Sequence, residues 1–302
     1  MESLEGLDTR LLVDLLRDRI NPSKSLGQHY LVDEEVIERT LRLTEEFDSP
    51  LSSNSHVLEV GPGPGSLTLE LLRSHSNVTA IEIDKQSVEH LERVFGERKY
   101  PLILKEADAV SERWPKGITH VISNLPYQIS SPIVDRITKY HHSEPIQLSI
   151  LLVQEEFALR MAMFSAPYDI GPLGLNLWLD FDVSLDRRVS PSSFSPSPRV
   201  QSRLVVIKPA IRPEAEGTNK QLFRIITRHC FSNRRRKMRT LLSKPPSRIS
   251  RVSGWHRERW AKSITKLLSS KSLDMEDGWA DLRPENLEPI DWITIANEIS
   301  SE

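Results

Sequence analysis

Apolar positions between residues 33 and 209 recur in two alternating rhythms. Compact apolar runs at 56–60 ("HVLEV"), 78–83 ("VTAIEI"), 101–107 ("PLILKEA"), 120–124 ("HVISN") and 146–154 ("IQLSILLVQ") read as β-strands. Amphipathic stretches at 66–74, 86–96 and 132–140 separate them and read as helices. Ahead of the first strand, Asp33 is placed to cap a helix over 34–47, where Val36, Ile37, Thr40, Leu41 and Leu43 keep an approximate helical period. "DSPLSSNS" (48–55) is a loop by composition. Strands that alternate with helices predict an α/β fold, with a parallel sheet covered on both faces. "LWLDFDVSLDRRV" (177–189) and "SRLVVIKP" (202–209) predict a closing antiparallel pair on that sheet, and residues 1–32 read as a polar lead-in.

The rhythm changes after Pro209. "AIRPEAEGTN" (210–219) reads as a linker, and the next stretch places Leu222, Ile225, Ile226 and Cys230 at helical spacing. Trp255, Trp260, Trp279 and Trp292 follow, separated by polar residues. The expected organisation is therefore two domains, 1–209 and a smaller, mainly helical 210–302.

Charge sharpens this division. Residues 199–262 carry 18 lysines and arginines against three acids, so the surplus of 15 leaves −17 on the rest of a chain whose net charge is −2. Segregation of that size points to a polyanionic partner for the basic segment, a nucleic acid first of all. Its densest part is "NRRRKMR" (233–239), with Arg234, Arg235, Arg236, Lys237 and Arg239; the plainer interpretation is a solvated helix face. A single cysteine, Cys230, excludes intramolecular disulfides and multi-cysteine zinc sites. No apolar run reaches the length of a membrane span, and the acidic start "MESLEGLDTR" fits neither a secretory nor an Arg-rich transit peptide. A cytoplasmic protein is expected.

Candidate chemistry gathers where the strands end. "LEVGPGPGSLTLEL" joins the first strand to its helix; Gly61, Gly63 and Gly65 permit a tight turn and close approach of a ligand to backbone. The spacing is neither that of a dinucleotide fingerprint nor that of a Walker loop. Glu82 closes the second strand, where an acid can accept from ribose hydroxyls, as both NAD and S-adenosylmethionine require. Asp108 follows the third strand and could accept from an exocyclic adenine amine. The fourth ends in "NLPY": Asn124, Leu125, Pro126 and Tyr127. An adenine N6 amine is a poor nucleophile because its lone pair is delocalised into the ring. The Asn124 amide oxygen and the Leu125 carbonyl can accept its two hydrogens, Pro126 restricts the backbone, and Tyr127 offers a face for stacking on a flipped base.

Taken in order, "KSLGQHYL" (24–31), "LEVGPGPG" (58–65), "IEID" (81–84), "DA" (108–109), "NLPY" (124–127) and "SFSPSPRVQS" (193–202) resemble the motifs of the ribosomal RNA adenine-N6 dimethyltransferase family, and "FSNRRRKMRTLL" (231–242) resembles the start of its C-terminal domain. The resemblance spans roughly residues 22–208. It implies a Rossmann-like class I methyltransferase sheet with a small C-terminal helical domain that docks on RNA. It also implies S-adenosylmethionine held by Gln28, His29, Leu31, the Gly61 loop, Glu82, Asp108 and Asn124, with Phe194 packing on the target adenine beside Tyr127. The implied reaction is dimethylation of two adjacent adenines near the 3′ end of small-subunit ribosomal RNA, by a monomer acting on RNA or on a pre-assembled small subunit. Two departures stand out: His29-Tyr30 replaces the Asn-Phe of many members, and "PYDIGPLGLNLW" (167–178) departs from the family's Tyr-Gly-x-Leu-Ser type of segment after Tyr168. A large-subunit adenine methyltransferase of the antibiotic-resistance branch and a non-catalytic RNA-binding assembly factor remain open alternatives.

Overall fold

The computed structural model describes residues 4, 6–18, 27–96, 100–270 and 274–301. Lys24, Ser25 and Leu26 of the "KSLGQHYL" motif lie outside the described residues. The chain divides into two compact units, one of residues 1–158 and 183–209, the other of 159–182 and 210–302.

The first unit opens with a helix, α1 (Thr9–Arg17), within what reads from sequence as a polar lead-in. Asp8 caps it by accepting from the Leu11 amide, and Leu12, Val13 and Leu16 are buried along one face. A two-residue strand, β1 (Tyr30–Leu31), leads into α2 (Glu34–Glu46), where the Asp33 carboxylate accepts from the amides of Glu35 and Val36. Then follow β2 (His56–Val60), α3 (Ser66–Arg73), β3 (Asn77–Glu82), α4 (Lys85–Phe95), β4 (Leu102–Glu106), β5 (His120–Asn124), α5 (Ser130–Ser143) and β6 (Leu148–Gln154). The chain leaves the unit within α6 (Glu155–Ala162), passes α7 (Pro172–Trp178), and returns within β7 (Phe181–Val189) before β8 (Phe194–Ser195) and β9 (Ser202–Pro209).

Seven strands form one sheet in the order β4-β3-β2-β5-β6-β9-β7. β2 pairs in parallel with β3 on one edge and β5 on the other, and the β3–β4 and β5–β6 pairs are parallel as well. β9 runs antiparallel to β6 and lies between it and β7. The expected terminal pair is therefore adjacent in the sheet, with β9 rather than β7 against the parallel part. Leu177 and Trp178, assigned to a strand from sequence, complete α7 instead. Side chains alternate between the sheet faces: Val57, Val78, Ile122 and Ile150 join an apolar cluster with Val36, Ile37, Leu67 and Leu91, while Leu58, Val121, Leu151 and Val205 are equally buried. Burial on both faces is what near-continuous apolar strands require.

The second unit holds α8 (Lys220–Phe231), α9 (Met238–Leu242), α10 (Arg257–Ser269) and α11 (Pro289–Ser300), with short 3-10 turns at Ile249–Arg251, Trp279–Asp281 and Pro284–Asn286. Trp255, Trp260, Trp279 and Trp292 are buried in its core with Leu222, Phe223, Ile226 and Cys230. Large aromatic payloads let so small a unit sustain a core. Residues 159–182 belong here rather than with the first 158 residues, a difference from the single break expected after 209. Ile170, Leu175 and Leu179 enter the same core, and the buried Asp180 carboxylate pairs with Lys220 at 2.5 Å and Arg224 at 3.2 Å. Removing one partner of a buried ion pair is costly, so these contacts hold the segment in place.

Gly65 ends the loop after β2 with φ +91°; a Cβ there would lie 2.8 Å from both the Leu91 and Phe95 side chains. Those side chains are themselves buried and have no room to retreat. Gly65→Ala should therefore lower stability by about 1–3 kcal/mol through backbone strain and overpacking, read as a lowered midpoint in urea denaturation. An unchanged midpoint would show that α3 and α4 can separate freely.

Candidate active site

Because β2 has parallel neighbours on both edges, the connections that leave it and β5 diverge to opposite sides of the sheet. Such a switch point opens a crevice at the carboxyl ends of the strands. Eleven of the candidate residues line one cavity there: Gln28, His29, Leu31, Gly61, Gly63, Glu82, Asn124, Leu125, Pro126, Tyr127 and Phe194. Gly65 and Asp108 are not among its lining residues. Gly65 sits behind the loop and sets the packing of α3. The Asp108 carboxylate accepts from the Val110 amide (2.9 Å) and the Ser111 hydroxyl (3.2 Å) in the exposed turn after β4.

The glycine loop makes the cavity floor. The Gly61 amide donates to the Ile81 carbonyl (2.9 Å), which ties the loop to β3. A Cβ at Gly63 would stand 3.1 Å from the Tyr30 ring, so only glycine leaves this close approach undisturbed. The Glu82 carboxylate is 5% exposed and accepts from the amides of Gly63 (3.2 Å) and Asp84 (2.9 Å). Burial raises its pKa, and those backbone donors oppose the rise.

The wall opposite is built by β1 and β8, which pair antiparallel with Tyr30 facing Ser195 and Leu31 facing Phe194. The Val32 amide extends the ladder to the Ser193 carbonyl (2.9 Å), and the Ser193 hydroxyl donates to Asp33 (2.7 Å). This clamp brings Phe194 into the cavity from far along the chain. The Asn124 amide group donates through Nδ2 to the His29 carbonyl at 3.2 Å. With the NH2 end committed to an acceptor, the amide oxygen is the end left for an incoming donor. The His29 ring stacks on Tyr127 with centroids 5.7 Å apart and lies 2.8 Å through Nδ1 from the Pro196 carbonyl. Tyr127 is hydrogen-bonded to the Ser202 hydroxyl (2.7 Å), and burial raises its phenol pKa.

Among the other lining residues, which the sequence does not single out as site residues, are Tyr30, Glu59, Ser66 and Ile83. The Ser66 hydroxyl, at the first turn of α3, is buried without a hydrogen-bond partner. Glu59 is 2% exposed and accepts from the Thr68 hydroxyl at 2.6 Å. Its visible signal is an acid in the middle of the apolar strand "HVLEV". Burial pushes its carboxyl up to about 8, the Thr68 bond acting against this and Glu82 adding to it. The cavity therefore combines two buried acids, one held by a hydroxyl and one by backbone amides, with an unsatisfied hydroxyl and glycine backbone. That set fits S-adenosylmethionine, which carries ribose hydroxyls, an amino acid end and a positive sulfonium. Among the described residues no His, Cys, Asp or Glu group of metal-binding arrangement occurs.

The predicted basic residues lie in the second unit, all exposed. Arg234, Arg235 and Arg236 occupy the turn between α8 and α9 rather than a helix face, and make no ion pair among the described residues. Lys237 and Arg239 both pair with Asp281.

The strand order, the switch-point crevice and the cavity define a class I S-adenosylmethionine-dependent methyltransferase. Two solved structures share the fold: a dimethyladenosine transferase from Plasmodium falciparum (TM-score 0.69, 24% identity, covering 88% of this chain and 95% of that one) and the 23S rRNA methyltransferase ErmE (TM-score 0.60, 20% identity, covering 89% and 98%). Within that class the chain belongs to the ribosomal RNA adenine dimethylase family, whose model matches residues 19–255. It is 34% identical to the probable ribosomal RNA small subunit methyltransferase A of Thermococcus gammatolerans over 220 residues, 73% of this chain and 75% of the relative. A similar protein of Haloarcula marismortui is 38% identical over 215 residues (70% and 72%), and the small subunit methyltransferase A of Prochlorococcus marinus is 31% identical over 285 (91% and 93%).

The raised Glu59 pKa carries a stability signature. Glu59 titrates near 4.5 when unfolded and near 8 when folded. Its full contribution is present below 4.5 and is lost as pH rises toward 8, because folding must take up a proton in that window. Glu59→Gln, permanently neutral, should match wild type near pH 4.5 and exceed it in Tm by a few degrees above pH 8. Melting curves that stay parallel across this range would show that no buried neutral carboxyl is present at this position.

Proposed function

We propose that the protein dimethylates N6 of two adjacent adenosines near the 3′ end of small-subunit ribosomal RNA. The supporting observation is the fixed Asn124 amide, held at the end of β5 in a cavity that also presents Tyr127 and Phe194. The relatives named above as small subunit methyltransferases favour that RNA over the large-subunit one.

S-adenosylmethionine, when bound, supplies an electrophilic methyl carbon. Gln28, His29, Leu31 and the glycine loop would enclose it, and Glu82 would accept from its ribose. The Asp108 carboxylate, held by the Val110 amide and the Ser111 hydroxyl, keeps acceptor capacity on both oxygens and would accept from the adenine amine of the cofactor. Asn124 Oδ1 and the Leu125 carbonyl accept the two N6 hydrogens of the target base, which draws the nitrogen lone pair out of conjugation. Pro126 stiffens the backbone that carries this acceptor. Tyr127 and Phe194 hold the flipped adenine ring by stacking. One proton leaves the nitrogen for each methyl gained. The amine is acidic once alkylated, so no strong base is required, and positioning with electrostatics supplies the rate. Outside the cavity, Arg234, Arg235, Arg236, Lys237 and Arg239 contact RNA phosphates. The substrate is the RNA or a pre-assembled small subunit, met in the cytoplasm by a single copy of the chain.

Incubation with labelled S-adenosylmethionine and unmethylated small or large subunits, followed by mass mapping, tests the reading. Dimethyladenine near the 3′ end of the small-subunit RNA is expected, and Asn124→Ala should lower kcat about 10²–10³-fold. Label confined to large subunits would move the protein to the resistance branch, and none in either would leave an RNA-binding assembly factor. Replacing Arg234, Arg235 and Arg236 together by alanine should weaken RNA binding and flatten its logarithmic salt dependence by about 0.7–0.9 for each phosphate no longer neutralised. An unchanged salt slope would return these arginines to the status of a solvated turn.

A further inference from the structure

The active-site cavity does not end at Tyr127. A second groove of about 850 Å³ continues from it, sharing Gly27, Gln28, His29 and Tyr127 as lining residues. Its remaining walls come from Gln154, from the segment after Phe194, and from Arg17 of α1. Among the described lining residues Arg17 and Arg199 carry the charge, and none is a carboxylate.

We propose that Arg17 grips a phosphate of the RNA strand next to the target adenosine, with Arg199 across the same groove. The inference rests on the RNA-methylation reading above and deepens it. Three observations carry it.

The first is position. Arg17 Nη1 donates to the Ser195 hydroxyl at 2.8 Å, across 178 residues of sequence. Ser195 directly follows Phe194, which lines the cavity proposed to take the base. A phosphate attached to the nucleoside in that cavity must leave through an opening, and the groove shares the cavity's own wall.

The second is uncompensated charge. Arg17 is exposed at the groove and makes no ion pair among the described residues; the hydroxyl it meets is neutral. Asp14 and Asp18 on the same segment do not line the groove. A guanidinium has five N–H donors in a rigid fork, so one bond to Ser195 fixes its place and leaves donors for a phosphate. The neutral lining suits a ribose-phosphate as well, with Gln154 offering an amide and Pro196 and Pro198 apolar faces.

The third is rigidity. The buried Leu12, Val13 and Leu16 anchor α1, and Asp8 caps it, so the last turn that bears Arg17 is held before any ligand arrives. Less ordering entropy is then lost on binding. The helix precedes the stretch matched by the family model, which begins at residue 19.

The test compares full-length wild type with Arg17→Ala, Arg17→Lys and Ser195→Ala on unmethylated small ribosomal subunits. RNA affinity is measured as a function of salt, kcat/KM for methylation at one salt concentration, and S-adenosylmethionine affinity as a control. Arg17→Ala should lower kcat/KM about 5- to 30-fold, mainly through KM. It should also flatten the logarithmic salt dependence by about 0.7–0.9, with cofactor affinity unchanged. Arg17→Lys should recover the salt slope, and Ser195→Ala should keep it, since the charge remains in both. If Arg17→Ala keeps the wild-type slope, or if Ser195→Ala reproduces its whole effect, Arg17 is only a staple for the loop and the proposal fails. Wild-type protein that neither binds nor methylates the subunits would overturn the underlying reading and this inference together. Methylation by wild type with an indifferent Arg17→Ala would overturn the inference alone.

Discussion

Everything chemical in this protein depends on β2 being paired in parallel along both edges. Parallel strands deliver their carboxyl ends to one side of a sheet, and the reversal of strand order beside β2 leaves a gap there that neither set of connections fills. The glycine loop, Glu82 and Asn124 occupy that side because each directly follows or ends a strand. The register enforces their proximity: the Val60 amide donates to the Ser123 hydroxyl at 2.8 Å, which locks the end of β2 against the residue before Asn124. A slip in the pairing would carry Asn124 away from the loop and reverse which side chains face the core.

Enclosure of that gap creates its electrostatics. Two acids, Glu59 and Glu82, are buried within one small region, and the environment separates their behaviour. Glu82 has amide donors from the loop and from the start of α4, which support a charge. Glu59 has a single hydroxyl donor and complete burial, which favour the neutral form near pH 7. The stacked His29 and Tyr127 rings then fix the wall on which Asn124 hangs.

Much of the architecture was legible because its causes are local. The strands at 56–60 and 120–124 are bounded as their apolar runs indicate, and Asp33 caps α2 as its position indicates. Eleven candidate residues of the cavity also converge, since motif residues at strand ends have few places to go. What escaped had causes at a distance. The helix α1 is short and weakly marked, and it is stable where it is because Leu12 and Leu16 find buried partners. Residues 159–182 were grouped with the sheet from chain order, yet Asp180 meets Lys220 and Arg224, forty or more positions on. Asp108 does not line the cavity, and its carboxylate is steadied by Val110 and Ser111 in the exposed turn after β4.

The amino-acid sequence by itself determined the succession of elements, the class of fold and a set of candidate residues at the strand ends, because periodicity, capping and turn residues act over a few positions. The tertiary structure alone decided which of those residues share one wall, that Ser66 is left unsatisfied, that burial raises the Glu59 carboxyl pKa, and that Arg17 arrives beside Ser195. These outcomes are set by desolvation and by contacts between segments 95 to 178 residues apart. No local pattern encodes them, since the burial that fixes them exists only once the sheet has closed around its switch point.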